Sequence, residues 1–108
     1  MSDYQLVLCN CPDIFLAEQL AQYLVEEKLA ACVNIIPNVQ SFYLWENKLV
    51  KDQEVTLLIK TTTFCFDELE KAIKKLHSYQ TPEIIALPII NGHQPYLNWL
   101  RENTRTFA

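Results

Sequence analysis

"SFYLWENKLVKDQEVTLLIKT", residues 41–61, decides the fold. Runs of β-branched and aromatic residues lie on either side of Glu46-Asn47-Lys48, and asparagine tolerates the left-handed conformation that a tight turn needs. The stretch therefore reads as a β-hairpin with its tip near Asn47. Its first arm extends back through "LAACVNIIPNVQ" (29–40), where Pro37-Asn38 interrupts it. Proline cannot donate to a ladder, so this spelling predicts a bulge or bend. The second arm runs to Lys60 or Thr61.

Upstream of the hairpin, the apolar run Tyr4 to Cys11 reads as a buried strand, and Pro12-Asp13 as a helix start with Asp13 as N-cap. Ala17, Leu20, Ala21, Leu24 and Val25 then recur at helical spacing, with Glu18, Gln19, Gln22, Glu26 and Glu27 on the other side. Downstream, Thr62 or Thr63 is expected to cap a second helix carrying Phe66, Leu69, Ile73 and Leu76 on one stripe, with His77 in its last turn. Acids Asp67 and Glu68 come early and Lys71, Lys74 and Lys75 late, as the helix dipole favours. Ile84 to Ile90 reads as the last strand, with Pro88 marking an edge or bulge. The only glycine, Gly92, precedes a short helix around Tyr96, Leu97, Trp99 and Leu100, with Pro95 in its first turn. The order β-α-β-β-α-β plus a C-terminal helix is the ferredoxin-like plan of the α+β class, an antiparallel sheet with helices on one face. A chain of 108 residues bounds one domain, 1–108.

The lengths of these elements do not match. A hairpin arm of about twelve residues reaches roughly 40 Å, whereas a helix of about fifteen covers only about 22 Å. The protruding part of the ribbon carries Phe42, Tyr43, Leu44, Trp45, Leu49 and Val50, apolar on both faces. A monomer leaves that patch in water, so another copy of the chain is expected to cover it. The alternative is a hairpin folded back at Pro37 onto its own core.

Composition excludes several functions. Nine Lys+Arg against thirteen Asp+Glu give a net charge of −4, the wrong sign for a nucleic-acid partner. The start of the chain shows no basic leader, and no run approaches the roughly 20 apolar residues that span a bilayer, so a soluble cytoplasmic protein without a membrane partner is expected. A single glycine argues against a phosphate cradle, and no organic cofactor is implied. The only arginines, Arg101 and Arg105, stand far from the first strand, where phosphoryl hydrolysis on this fold needs one.

Candidate site residues carry two readings each. Cys9, Cys11, Cys32 and Cys65 are expected as reduced thiols. Cys9-x-Cys11 shares one face of a strand, which suits a soft ion such as Cu(I) and equally suits two buried apolar thiols. In "LHSYQTPEII" (76–85), Tyr79 and Pro82 end a helix and restart a strand, and His77 offsets the helix dipole. The same stretch offers His77 and Glu83 as a pair of metal ligands. Lys60 and Glu54 fit a surface strand face or a cleft ion pair with Glu83. Tyr43 and Trp45 fit subunit contacts or a stacking surface.

The strings "EEKLAACVNIIP" (26–37), "SFYLWENKLVKDQEVTLLIKT" (41–61), "LHSYQTPEIIALPI" (76–89) and "YLNWL" (96–100), in order and covering nearly the whole chain, resemble the CutA divalent-cation tolerance family. The resemblance implies a homotrimer built through the hairpin strands, with Phe42, Tyr43, Leu44, Trp45 and Leu49 in its interface. No reaction is firmly attached to the family; in such a trimer the corner at Tyr79 is expected to face a neighbour and form an intersubunit cleft, with Tyr79, Lys60, Glu54 and Trp45 as its candidate lining. The resemblance further implies a bound metal, copper or another divalent ion, for which His77, Cys32, Glu83 and Cys9 are the candidate ligands. Cys32 matches the family's motif and Cys9 the corresponding place on the first strand, whereas Cys11 and Cys65 have no such support. Ser78 stands where the family often has proline, and Asn47 where it usually has glycine. A second reading, from architecture similar to the PII signalling proteins, is a regulatory module binding a small metabolite in that cleft.

Overall fold

A computed structural model describes residues 2–106. In chain order the elements are β1 (Tyr4–Cys11), α1 (Ile14–Glu26), β2 (Cys32–Trp45), β3 (Lys48–Thr62), α2 (Phe66–Leu76), β4 (Ile85–Pro88) and α3 (Gln94–Glu102). The strands form one sheet in the order β2-β3-β1-β4, antiparallel throughout. This is the α+β, ferredoxin-like arrangement expected from the element order.

Alternation along β1 and β3 creates the core. Val7, Cys9 and Cys11 stand opposite Ile59, Leu57 and Val55, and all face the helices. Ala17, Leu20 and Leu24 of α1 and Leu69 and Ile73 of α2 complete that layer. Asp13 caps α1 as its sequence position predicts, its Oδ1 accepting from Leu16 N–H at 2.9 Å. At the other end of the sheet α3 reaches Lys60 and Tyr4: Lys60 Nζ lies 5.9 Å from the Tyr96 ring centre and Arg101 lies 5.3 Å from that of Tyr4. No helix among the described residues is long and apolar enough to cross a membrane.

The β2–β3 ribbon dominates the shape. β3 has 15 residues, about 50 Å of extended chain, against about 20 Å for the 13 residues of α1. The molecule accordingly measures 45 × 25 × 23 Å. Its turn is a two-residue one over Glu46 (φ 50°) and Asn47 (φ 63°), with Lys48 already paired to Trp45. Positive φ at both central residues matches the right-handed twist of the strands. At Pro37-Asn38 the register shifts by one residue, so that these two oppose Val55 alone, and Asn38 takes φ 60°. The expected interruption is thus a β-bulge in a ribbon that stays extended beyond it.

Three local expectations need correcting. The last strand is four residues rather than seven, because Pro88 donates nothing to β1 and β1 itself begins at Tyr4. Neither Thr62 nor Thr63 caps α2. Their hydroxyls are used elsewhere, on Cys65 Sγ at 3.4 Å and on the Ser2 carbonyl at 2.9 Å, and a 3₁₀ turn over Thr63–Cys65 leads into the helix. His77 lies just past α2, with extended backbone, and only its N–H is helical, donating to Ile73 O at 2.8 Å.

Candidate metal centre

The far end of β1, where the neighbouring strand β4 has already stopped, gathers most of the chemistry-bearing residues. β4 pairs with β1 only from Gln5 to Leu8. Beyond Leu8 the backbone of β1 on that side has no ladder partner, and a side chain must satisfy it. His77 does so: its Nε2 lies 2.7 Å from the carbonyl of Asn10, the residue between Cys9 and Cys11.

The hydrogen bonds of His77 fix its tautomer. A carbonyl oxygen only accepts, so Nε2 carries the proton; Nδ1 in turn accepts from the Tyr79 N–H at 3.0 Å. Both ring nitrogens are therefore engaged by backbone, in the neutral Nε2–H form. The ring also contacts that of Tyr79, at 4.7 Å between centres. This accounts for the spelling of residues 77–79, a histidine that closes a helix, braces the end of a strand and anchors the next turn.

Beneath this brace sit the thiols. Cys9 and Cys11 are two apart on β1 and both fully buried on the helix-facing side. Their Sγ atoms and a ring nitrogen of His77 all lie within 4.8 Å of one another. The two thiols interact as a hydrogen-bonded pair. The Cys9 thiol is pushed far up, first by that bond, then by burial and by the negative charges of Cys11, Glu83 and Glu54. The same bond pushes Cys11 down, against the opposing effect of burial. Two soft sulfurs beside an imidazole form a donor set suited to copper or zinc, so the residues present fit the ion that the sequence implies.

An acidic rim adjoins the thiols. Glu54 is buried and accepts from the Tyr79 hydroxyl at 2.8 Å. Burial and this bond hold the Tyr79 phenol well above its usual range. Glu83 accepts from Asn10 Nδ2 at 3.4 Å, and its carboxyl is raised by desolvation and by Glu54. Thr56 donates to Asn10 Oδ1 at 2.7 Å, tying the rim to β3.

Of the four ligands expected from sequence, Cys9 and His77 come together, Glu83 lies alongside but outside the 4.8 Å group, and Cys32 is elsewhere. Cys32 pairs with Lys60, whereas Val33 pairs with Ile59 and faces the core, so alternation places Cys32 on the opposite side of the sheet from Cys9 and Cys11. Cys11 takes its place in the group. The signal for it was the two-residue spacing, which puts both thiols on one strand face.

The expected cleft residues do not converge within one chain. Trp45 is at the hairpin tip, and Lys60 is six residues along β3 from Glu54, about 20 Å away. Only Glu54 and Tyr79 touch. The expected interface residues Phe42, Leu44, Trp45 and Leu49 are each more than 60% exposed in the single chain, and Tyr43 is 41% exposed with its hydroxyl on Asp52.

Comparison with known proteins agrees with this layout. Residues 5–103 match the family described as CutA1 divalent ion tolerance protein. The divalent-cation tolerance protein CutA of Thermus thermophilus is 52% identical over 100 residues, covering 93% of this chain and 97% of that protein. The crystal structure of CutA1 from Oryza sativa superposes with a TM-score of 0.94 at 42% identity, over 96% of this chain and 95% of that one. A structure from Archaeoglobus fulgidus, whose name calls it a periplasmic divalent cation tolerance protein, gives 0.90 at 39%, over 93% and 97%. A split βαβ sheet with an overlong hairpin, matched along nearly its whole length at such identity, places this chain in the CutA1 divalent-cation tolerance family.

Proposed function

We propose that this protein serves divalent-cation tolerance by binding copper at the Cys9–Cys11–His77 centre, without catalysing a reaction. The observation that carries the reading is the convergence of two thiols and an imidazole within 4.8 Å, closed off by a tyrosine-bearing turn. Glu54, Glu83 and Tyr79 form the polar rim through which an ion approaches. Four free cysteines in a chain of this size suit a reducing compartment such as the cytoplasm. The reading as a metabolite-binding regulator rests on architecture alone and is not carried forward.

The functional unit in this reading is a homotrimer in which Phe42, Tyr43, Leu44, Trp45 and Leu49 are covered by neighbouring copies. Their exposure on a ribbon that outruns its own helices supports it. Calorimetric titration with copper and zinc tests the metal site. Wild type is expected to bind copper with a dissociation constant of about 1 μM or below, and the Cys9→Ser/Cys11→Ser double variant to lose that binding. Wild type that binds neither metal more tightly than about 1 mM ends the proposal.

A further inference from the structure

The reading above leaves open which donors hold the ion and in what charge state, and the hydrogen bonds of His77 bear on both. We infer that the copper is monovalent and held by the two thiolates of Cys9 and Cys11 alone, with His77 as a positioning residue rather than a ligand. This inference rests on the copper reading above.

Consider what each nitrogen of His77 would have to give up. Freeing Nδ1 breaks the bond from Tyr79 N–H and releases a turn that is also tied to buried Glu54. Freeing Nε2 breaks the 2.7 Å bond to the Asn10 carbonyl, and that peptide joins the two cysteines and sets the direction of both. Each loss leaves a part-buried backbone group unpaired, at a cost of about 1 kcal/mol. An ion that needs the imidazole thus disturbs the frame that aligns its sulfur ligands.

Ion chemistry divides on this point. A structural zinc ion demands four ligands in a tetrahedron, and only two sulfurs are available here without dismantling the brace. The thiols are fully buried among leucines and valines, so solvent does not complete the shell. Divalent copper prefers nitrogen and oxygen in a tetragonal array, a poor match to two sulfurs. Monovalent copper is a closed-shell soft ion, for which two thiolates make a complete linear or bent shell. Binding then forms two Cu–S bonds, releases the two thiol protons to solvent and leaves the oxidation state of copper unchanged.

His77 contributes by holding the Asn10 peptide where β4 no longer can, and a side chain that donates from the same position preserves this. Glutamine does so through its amide. The test is an anaerobic titration of Cu(I) against a chromophoric Cu(I) chelator, with a parallel Zn(II) titration, on wild type, Cys9→Ser, Cys11→Ser and His77→Gln. Circular dichroism confirms that each variant is folded. The expected result is one Cu(I) per chain, lost by at least about 100-fold in either cysteine variant and weakened by no more than about tenfold in His77→Gln, the lower end of what partners outside the ligand shell cost. Zinc is expected to bind more weakly than Cu(I).

X-ray absorption on Cu(I)-loaded wild type gives a readout independent of variant folding, with two sulfur neighbours and no imidazole shell expected. An imidazole shell, or loss of Cu(I) by His77→Gln as severe as by the cysteine variants, overturns the inference while the copper reading stands. Zinc binding tighter than Cu(I) overturns it as well. No metal bound by wild type removes both.

Discussion

Lys28, just past α1, holds φ at 56°, and its N–H and that of Leu29 close the helix onto Val25 O and Leu24 O. A left-handed residue with a Cβ costs about 1–2 kcal/mol, and glycine is the usual occupant of this C-terminal position. Lys28→Gly is expected to stabilise the fold by about 1 kcal/mol in urea denaturation, its backbone bonds being unchanged.

Tyr79 gives a pH dependence. Its phenol titrates above the ordinary 10.0 in the fold because of burial and the bond to Glu54. Below that value the tyrosine is neutral in both states and its contribution is complete. As pH rises past it, the unfolded chain loses the proton first, so stability falls. Tyr43, bonded to Asp52, is shifted in the same direction. Tyr79→Phe is therefore expected to shallow the alkaline loss of thermal stability without abolishing it. At neutral pH the same variant costs about 1–3 kcal/mol, because buried Glu54 loses its partner.

At this scale the sequence was legible where one residue type has one use, as with Asp13 at the N-cap. It misled where a residue has several. Cys32 carries the family's motif yet lies on the opposite face of the sheet from Cys9, and Cys11, without that support, lies beside Cys9 and His77. The hydroxyls of Thr62 and Thr63 found tertiary partners that no local pattern announces.

The ribbon is one element with two energetic regimes. Leu57 is fully buried, opposite Cys9 on one side and Ile35 on the other. Leu44, near the tip, is 71% exposed. Leu57→Ala is expected to cost about 2–5 kcal/mol through the cavity it leaves. Leu44→Ala is expected to leave the folding of an isolated chain within about 0.5 kcal/mol of wild type, as an exposed substitution should. Guanidinium titrations of both variants check the contrast. Element types and order were readable because the apolar period changes from two to 3.6 at each junction. The extent of β4 was not, since strand length depends on where its partner begins and on a proline that removes a donor.

For the whole molecule, the apolar tip sets the expectation. Leu44→Glu together with Leu49→Glu is expected to convert the proposed trimer into monomers in sedimentation, with the Cys9 and Cys11 thiols undisturbed. Wild type is expected to melt at a temperature that rises with protein concentration, since only the folded copies associate. A wild-type chain that sediments as a monomer at micromolar concentration rules out the assembly. The overall shape followed from counting, because strand and helix rise differ by a factor of about two.

The bulge at Pro37-Asn38 has a consequence for chain length. Near the sheet, Val33 and Ile35 point to the core; past the bulge, Phe42 and Leu44 share that side, opposite Lys51 and Leu49. The odd-numbered inward set has become an even-numbered one. Were Asn38 instead taken into the ladder as an ordinary paired residue, the outer part of this strand would turn over, exchanging Phe42 and Leu44 with Tyr43 and Trp45 without altering a single side chain. One amino acid of slack thus works like a dislocation in a lattice, fixing which set of aromatic and aliphatic groups the outer ribbon shows to each side.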